Sequence, residues 1–144
     1  HRDIKQIMKR YELGLDTLDV LIQDVLSHLS SGVVILRGDL AAGKTTFVKE
    51  MVKALGVQDE VTSPTFSLQQ CYGDNIYHYD IYNHGLEHFI SLGMLEELDK
   101  EGFHFVEWGD DALKSILDKA EIKNMTINIE KISKNLREYR VEYA

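Results

Sequence analysis

The sequence predicts an α/β domain built on a mixed, mostly parallel sheet flanked by helices, with antiparallel strands at its C-terminal end. Three observations lead there. Residues 33–36 and 103–106 are short runs dominated by apolar side chains, the pattern of strands buried on both faces. Apolar residues at helical spacing follow the first run and precede both. Beyond residue 124 the pattern turns to two strands joined by a tight turn.

The elements follow in order. Leu18, Leu21, Ile22, Val25, Leu26 and Leu29 give a helix over residues 15–29, ended by Ser31-Gly32. A strand at 33–36 leads through a glycine-containing turn into a helix over 43–55, closed by Gly56. Residues 59–65 are turn-like around Pro64, the one proline. Strands at 66–72 and 76–81 flank a hairpin turn, Gly73-Asp74-Asn75. A helix is expected over 86–98, a strand over 103–107, and a helix from a cap at Asp110 or Asp111 to about residue 117. Strands 125–132 and 137–143 close the chain. The runs at 33–36 and 103–106 are the expected central parallel pair, with helices on both faces.

The chain has 144 residues, 44% hydrophobic and 28% charged, which suits one domain over residues 1–144 with one core. The chain does not begin with Met, so residues 1–10 are expected to be flexible or the remnant of a trimmed start. Their charges do not read as a secretory signal, and no run approaches the ~20 apolar residues of a membrane span. Sixteen basic against 24 acidic residues give a net charge of −8, which argues against autonomous nucleic-acid binding. Cys71, the single cysteine, reads as a small buried hydrophobe in a reducing, cytosolic setting. Tyr72, Tyr77, Tyr79 and Tyr82 read as packing groups, and no His spacing indicates a transition-metal site.

Gly38-Asp39-Leu40-Ala41-Ala42-Gly43-Lys44-Thr45 matches G-x-x-x-x-G-K-[ST] at every fixed position. The spacing has a chemical reason. Backbone N–H groups from Asp39, Leu40, Ala41, Ala42 and Gly43 can wrap a phosphate, and glycine permits the close approach. The helix that opens at Gly43 turns its positive dipole end to the anion. Lys44 would reach the β- and γ-phosphates, Thr45 would offer its hydroxyl to Mg²⁺, and Thr46 would contact the α-phosphate. The domain is therefore expected to be P-loop NTPase-like and to bind the phosphates of a nucleotide with Mg²⁺. In such sheets the remaining groups stand beyond the carboxyl ends of strands. Asp80 and Glu107 are the carboxylates there. The Thr62-Ser63-Pro64-Thr65 segment is a candidate switch or a simple turn.

Together, the phosphate loop with Thr46-Phe47, Leu55-Gly56, Thr62-Ser63-Pro64-Thr65-Phe66, His78-Tyr79-Asp80-Ile81-Tyr82 and Val106-Glu107-Trp108 resemble the TsaE family. These are small bacterial P-loop ATPases that take part in making threonylcarbamoyladenosine at position 37 of tRNA. The resemblance covers about residues 15–143. It implies a cytoplasmic ATPase that docks on two partner proteins, TsaB and TsaD, with tRNA met only indirectly and no membrane. TsaD transfers the threonylcarbamoyl group, and ATP hydrolysis resets the complex between turnovers. By position, Thr45 and Glu107 would bind Mg²⁺ and Asp80 would orient or activate water. Lys44 would serve the phosphates, Thr65 and its neighbours would form the switch, and Trp108 would support the site. Thr17 and Arg137 align with the ends that close around the nucleotide. The chain departs from the family at Ala41, Asn83 and Gly109, where glycine, arginine and proline are usual.

Two other readings stand beside this one. A small-molecule or nucleotide kinase shares the loop, but no Arg-rich lid lies between Thr46 and Leu136. A nucleotide-gated scaffold would need binding without turnover. A GTPase is disfavoured because no Asn-Lys-x-Asp base-reading motif occurs. With five arginines and none placed as a cis finger, intrinsic ATP hydrolysis is expected to be weak and to rise with partners.

Overall fold

In the computed structural model, which describes residues 7–39, 41–62, 69–82 and 85–143, the apolar run at the first glycine-rich turn is the central strand of a seven-stranded sheet. The elements run β1 (Ile7–Leu13), a 3₁₀ turn (Leu15–Thr17), α1 (Asp19–His28), β2 (Gly32–Arg37), α2 (Lys44–Ala54), β3 (Gln69–Tyr72), β4 (Ile76–Asp80), α3 (Gly85–Ser91), α4 (Met94–Leu98), β5 (Phe103–Glu107), α5 (Asp111–Lys119), β6 (Asn124–Ser133) and β7 (Leu136–Tyr143). The strand order is β1-β7-β6-β2-β5-β4-β3. β6, β2, β5 and β4 run parallel. The β7–β1 pair extends this core antiparallel on one side, and β3 does so on the other. The expected central pair β2–β5 stands in register, with Leu36 opposite Glu107.

Burial explains the pairing. Val33, Val34, Ile35 and Leu36 are all fully buried, so both faces of β2 must be covered. On one face α1 and α2 supply Leu21, Ile22, Val25, Phe47, Val48 and Met51 against Val34, Leu36 and Phe105. On the other, Phe89, Leu98, Leu113 and Leu117 from α3, α4 and α5 cover Val33, Ile35, Tyr79 and Val106. Each such buried side chain contributes about 1.5–3 kcal/mol. Phe47 meets Phe105 edge to face at 6.4 Å, locking α2 onto β5. The Asp110 carboxylate accepts from the Leu113 N–H at 3.0 Å and starts α5.

Four expectations need correction. The flexible start proposed for residues 1–10 is in part a strand, because Ile7–Arg10 belong to β1 and pair with β7. The helix expected over 15–29 opens as a 3₁₀ turn, and α1 itself begins at Asp19. The helix expected over 86–98 is two short helices, because Gly93 takes φ 79° and turns the chain. Cys71 is exposed on β3 rather than buried. The hairpin at Gly73-Asp74-Asn75 and the turn between β6 and β7 stand where the sequence put them. Residues 66–68 of the expected strand lie outside the described residues. Among the described residues no helix is long and apolar enough to cross a membrane.

Candidate nucleotide site

The site gathers at the carboxyl ends of β2, β4 and β5. Gly38 leaves β2 with φ 150°, and a Cβ there would come within 2.4 Å of the Ile129 carbonyl. Glycine is therefore required where the loop crosses β6. Ala41 takes φ 64°, the left-handed region, which explains why a Cβ-free residue suits this loop position. Gly43 caps α2, so Lys44, Thr45 and Thr46 form the first turn of the helix. Leu40 and Thr65 lie outside the described residues, as does Asn83.

Lys44 is 4% exposed. Its Nζ donates to the carbonyls of Gly38 at 2.6 Å and Asp39 at 2.9 Å. The same ammonium sits 4.0 Å from the centre of the Trp108 ring. Burial lowers its pKa from the ordinary lysine value, while the charges of Glu107, Asp80 and Asp39 act in the opposite sense. Trp108 has φ 70°, an uncommon backbone for a large side chain, held by its N–H donating to the Leu36 carbonyl at 3.0 Å. Tyr82 packs on its ring with centroids 4.6 Å apart.

Glu107 ends β5 and is 3% exposed. Its Oε2 accepts from the Thr45 hydroxyl at 3.0 Å and from His78 Nε2 at 2.6 Å. Asp80 stands opposite Glu107 in the parallel register. Its Oδ1 accepts from the Tyr82 N–H at 2.9 Å. A cavity of about 310 Å³ is lined by Ala41, Gly43, Lys44, Thr45, Thr46, Asp80, Glu107, Trp108 and Arg137. Ala41, Gly43, Lys44 and Thr45 of the loop, both strand-end carboxylates and Arg137 thus share one space, whereas Asp39 and Ala42 line a separate cavity beside β6. Arg137 donates from Nε to the Ala42 carbonyl at 2.9 Å.

Thr17 is not among those lining residues. Its hydroxyl is used locally, accepting from the Gly14 N–H at 3.0 Å and closing the 3₁₀ turn. Its neighbours Gly14, Leu15, Asp16 and Leu18 line an adjoining cavity of about 720 Å³ that shares Gly43, Thr46 and Arg137 with the first. Two residues were missed by sequence reasoning. Tyr72 reads as packing and His78 is assigned no role from the sequence, yet Tyr72 and His78 bond at 3.0 Å and His78 holds Glu107. The available signal was that His78 precedes Asp80 by two, so both stand on one face of β4.

The departure at Gly109 has a packing reason. A Cβ there would lie 2.8 Å from Ile35 Cγ2 and 2.9 Å from Leu113 Cδ2. The Gly109 carbonyl also accepts from Arg37 Nε at 2.9 Å. Chemically, the arrangement offers hard oxygen donors, Thr45 and Glu107, beside a helix N-terminus and a lysine. Mg²⁺ favours such a set, with one or two carboxylates and the rest from phosphate and water. Among the described residues no group of three or more His, Cys, Asp or Glu could hold a metal ion.

Comparison with known proteins shows the family and the fold. The family model described as "Threonylcarbamoyl adenosine biosynthesis protein TsaE" matches residues 10–139. A relative named tRNA threonylcarbamoyladenosine biosynthesis protein TsaE from Treponema pallidum is 46% identical over 81 residues, covering 54% of this chain and 60% of its own length. One of the same name from Haemophilus influenzae is 35% identical over 94 residues, covering 62% and 59%. The matches span about three fifths of these relatives' length. The crystal structure of Bacillus subtilis YdiB superposes with a TM-score of 0.69 at 23% identity, covering 98% of this chain and 88% of that one.

Proposed function

Since the chain belongs to the TsaE family, we propose that it is a Mg²⁺-dependent ATPase of the cytoplasm that docks on TsaB and TsaD and supports threonylcarbamoyladenosine formation in tRNA. In this reading it resets that complex between turnovers. The observation that carries it is the Thr45 hydroxyl on Glu107 at 3.0 Å, next to a lysine at the head of α2.

Each group has a task that follows from its position. The triphosphate enters the cavity at the N-terminus of α2, where backbone N–H groups and the helix dipole favour anions. Lys44 exchanges its bonds to the Gly38 and Asp39 carbonyls for phosphate oxygens. Thr45 and Glu107 would hold Mg²⁺. The ion, when bound, would neutralise charge on the phosphoryl oxygens. Asp80, across the register from Glu107, orients a water and takes its proton. Arg137 bridges the phosphate cavity and the adjoining one, which has room for the nucleoside. With a net charge of −8, the chain leaves tRNA to its partners.

The test is phosphate release from ATP by the purified chain, alone and with TsaB and TsaD, with Lys44→Ala as control. Slow release that rises with the pair and disappears in the control is expected. Release unchanged by the pair overturns the partner-gated reading. Label transferred to an added acceptor, in place of free phosphate, would make the protein a kinase.

A further inference from the structure

We infer that His78, anchored by Tyr72, is the positioning residue that holds the Glu107 carboxylate in place for a metal. The inference rests on the reading of Glu107 as a metal ligand.

A continuous hydrogen-bonded row runs along the α2 side of the sheet. Thr45 Oγ1 donates to Glu107 Oε2 at 3.0 Å, and His78 Nε2 donates to the same oxygen at 2.6 Å. His78 Nδ1 and the Tyr72 hydroxyl are bonded at 3.0 Å. The Tyr72 hydroxyl also stands 2.8 Å from Gln70 Oε1 and 3.0 Å from the Thr62 carbonyl. Strand register builds this row. Gln70 lies opposite His78, and Asp80, two residues on, lies opposite Glu107. His78 is fully buried and both its ring nitrogens are engaged, so the ring has one orientation.

The chemistry separates this role from simple packing. Glu107 has two donors among the described residues. Thr45 can keep its O–H on Glu107 while its oxygen lone pair faces a metal, but that hydroxyl then moves with the ion it helps to hold. The His78 bond is the hold on this carboxylate, 3% exposed, that comes from outside the proposed metal ligands. Without it, the carboxylate is free to rotate away at the moment it must coordinate. A histidine N–H on a ligating carboxylate is the kind of outer contact whose loss costs about 10- to 100-fold in metal affinity. Tyr72 fixes the far side of the ring and connects it to residue 62, so the metal ligand is tied to the chain just ahead of β3.

Trp108, the one tryptophan, lines the cavity and serves as the probe. Mg²⁺ is titrated into the full chain carrying the β,γ-imido analogue of ATP, with Trp108 fluorescence as the readout. His78→Leu is expected to raise the Mg²⁺ concentration at half effect about tenfold or more. Its affinity for the analogue without Mg²⁺ stays within about twofold, and His78→Gln, which keeps an N–H near the Nε2 position, recovers most of the loss. Tyr72→Phe, which preserves the packing, shifts Mg²⁺ about threefold and decides the matter if His78→Leu does not fold. Unchanged Mg²⁺ dependence in either variant overturns the inference. So does an equal loss of Mg²⁺-free binding, or a glutamine variant as weak as leucine. A wild-type chain that binds the analogue with no response to Mg²⁺ would remove the metal reading itself, a result distinct from all of these.

Discussion

Arg137 donates its Nε–H to the carbonyl of Ala42 at 2.9 Å, tying the last strand of the sheet to the phosphate loop across 95 positions of sequence. The same guanidinium reaches the Ser133 carbonyl at 3.1 Å and the Leu136 carbonyl at 3.3 Å, so it also clasps the turn between β6 and β7. Its planar fork is held by three carbonyls while it faces both cavities. A loop that must keep its N–H groups pointing inward gains from a rigid external tie.

Arg137→Ala is therefore expected to weaken nucleotide binding about tenfold, measured by calorimetric titration. Arg137→Lys should recover little, because an ammonium cannot copy the fork. Nucleotide binding unaffected by the alanine change would show that the loop keeps its shape unaided.

Ala41 supplies a second test. Its φ of 64° costs an L-residue about 1–2 kcal/mol, while a glycine brings about 0.5–1 kcal/mol of extra chain entropy. The difference favours Ala41→Gly by about 0.5 kcal/mol, readable as a higher urea midpoint. A variant less stable than the parent by about 1 kcal/mol would mean that the Ala41 methyl makes contacts worth more than its strain.

The parts legible in the sequence were those where backbone geometry selects residue type. The phosphate loop is such a case, since Gly38 must clear the Ile129 carbonyl and Gly43 must cap a helix. β2 was legible because burial on both faces demands an unbroken apolar run. β1 was not. It lies at the sheet edge with Met8, Arg10 and Glu12 exposed and Lys9 on the same side of the strand as Tyr11, so its alternation is blurred. The His78–Glu107 bond was illegible for another reason. The residues are 29 apart, and only the register of β4 on β5 brings them together.

Asp24 shows how the β1–β7 edge is fastened, and it yields a pH prediction. The hydroxyls of Tyr11 and Tyr143 both donate to Asp24 Oδ2 at 2.5 Å, joining β1 and β7 to α1. Burial alone would raise the Asp24 pKa, but the two hydroxyls and Lys9 outweigh it and hold the carboxyl below its ordinary 3.8. Burial and the Asp24 charge push the Tyr11 hydroxyl up to about 12, so it stays a donor at neutral pH. A depressed carboxylate contributes stability that is present above its unfolded pKa and is lost as pH falls through the folded value. The double variant Tyr11→Phe with Tyr143→Phe is expected to lose about 2–3 kcal/mol at pH 7. The gap to the parent should shrink steadily below about pH 4. Urea unfolding across that range checks it, and a gap constant with pH would assign the loss to packing.

Asp80 and Glu107 face each other across the β4–β5 register, yet the two carboxylates should separate cleanly in kinetics. Glu107 is buried and bonded to Thr45 and His78, so its task is to hold charge in place. Asp80 is partly exposed at the cavity wall, where a water can reach it. Asp80→Asn keeps the size and the acceptor for the Tyr82 N–H but removes the base. Phosphate release in the presence of partners is expected to fall about 100-fold or more, with ATP affinity within about twofold of the parent. Glu107→Gln should instead shift the Mg²⁺ requirement along with the rate, because it weakens an oxygen ligand rather than the water's acceptor. Single-turnover release with titrated Mg²⁺ distinguishes them. If Asp80→Asn turned over at the parent rate, the water would have to be oriented by another group, and the proposed division of labour between the two strand ends would fall.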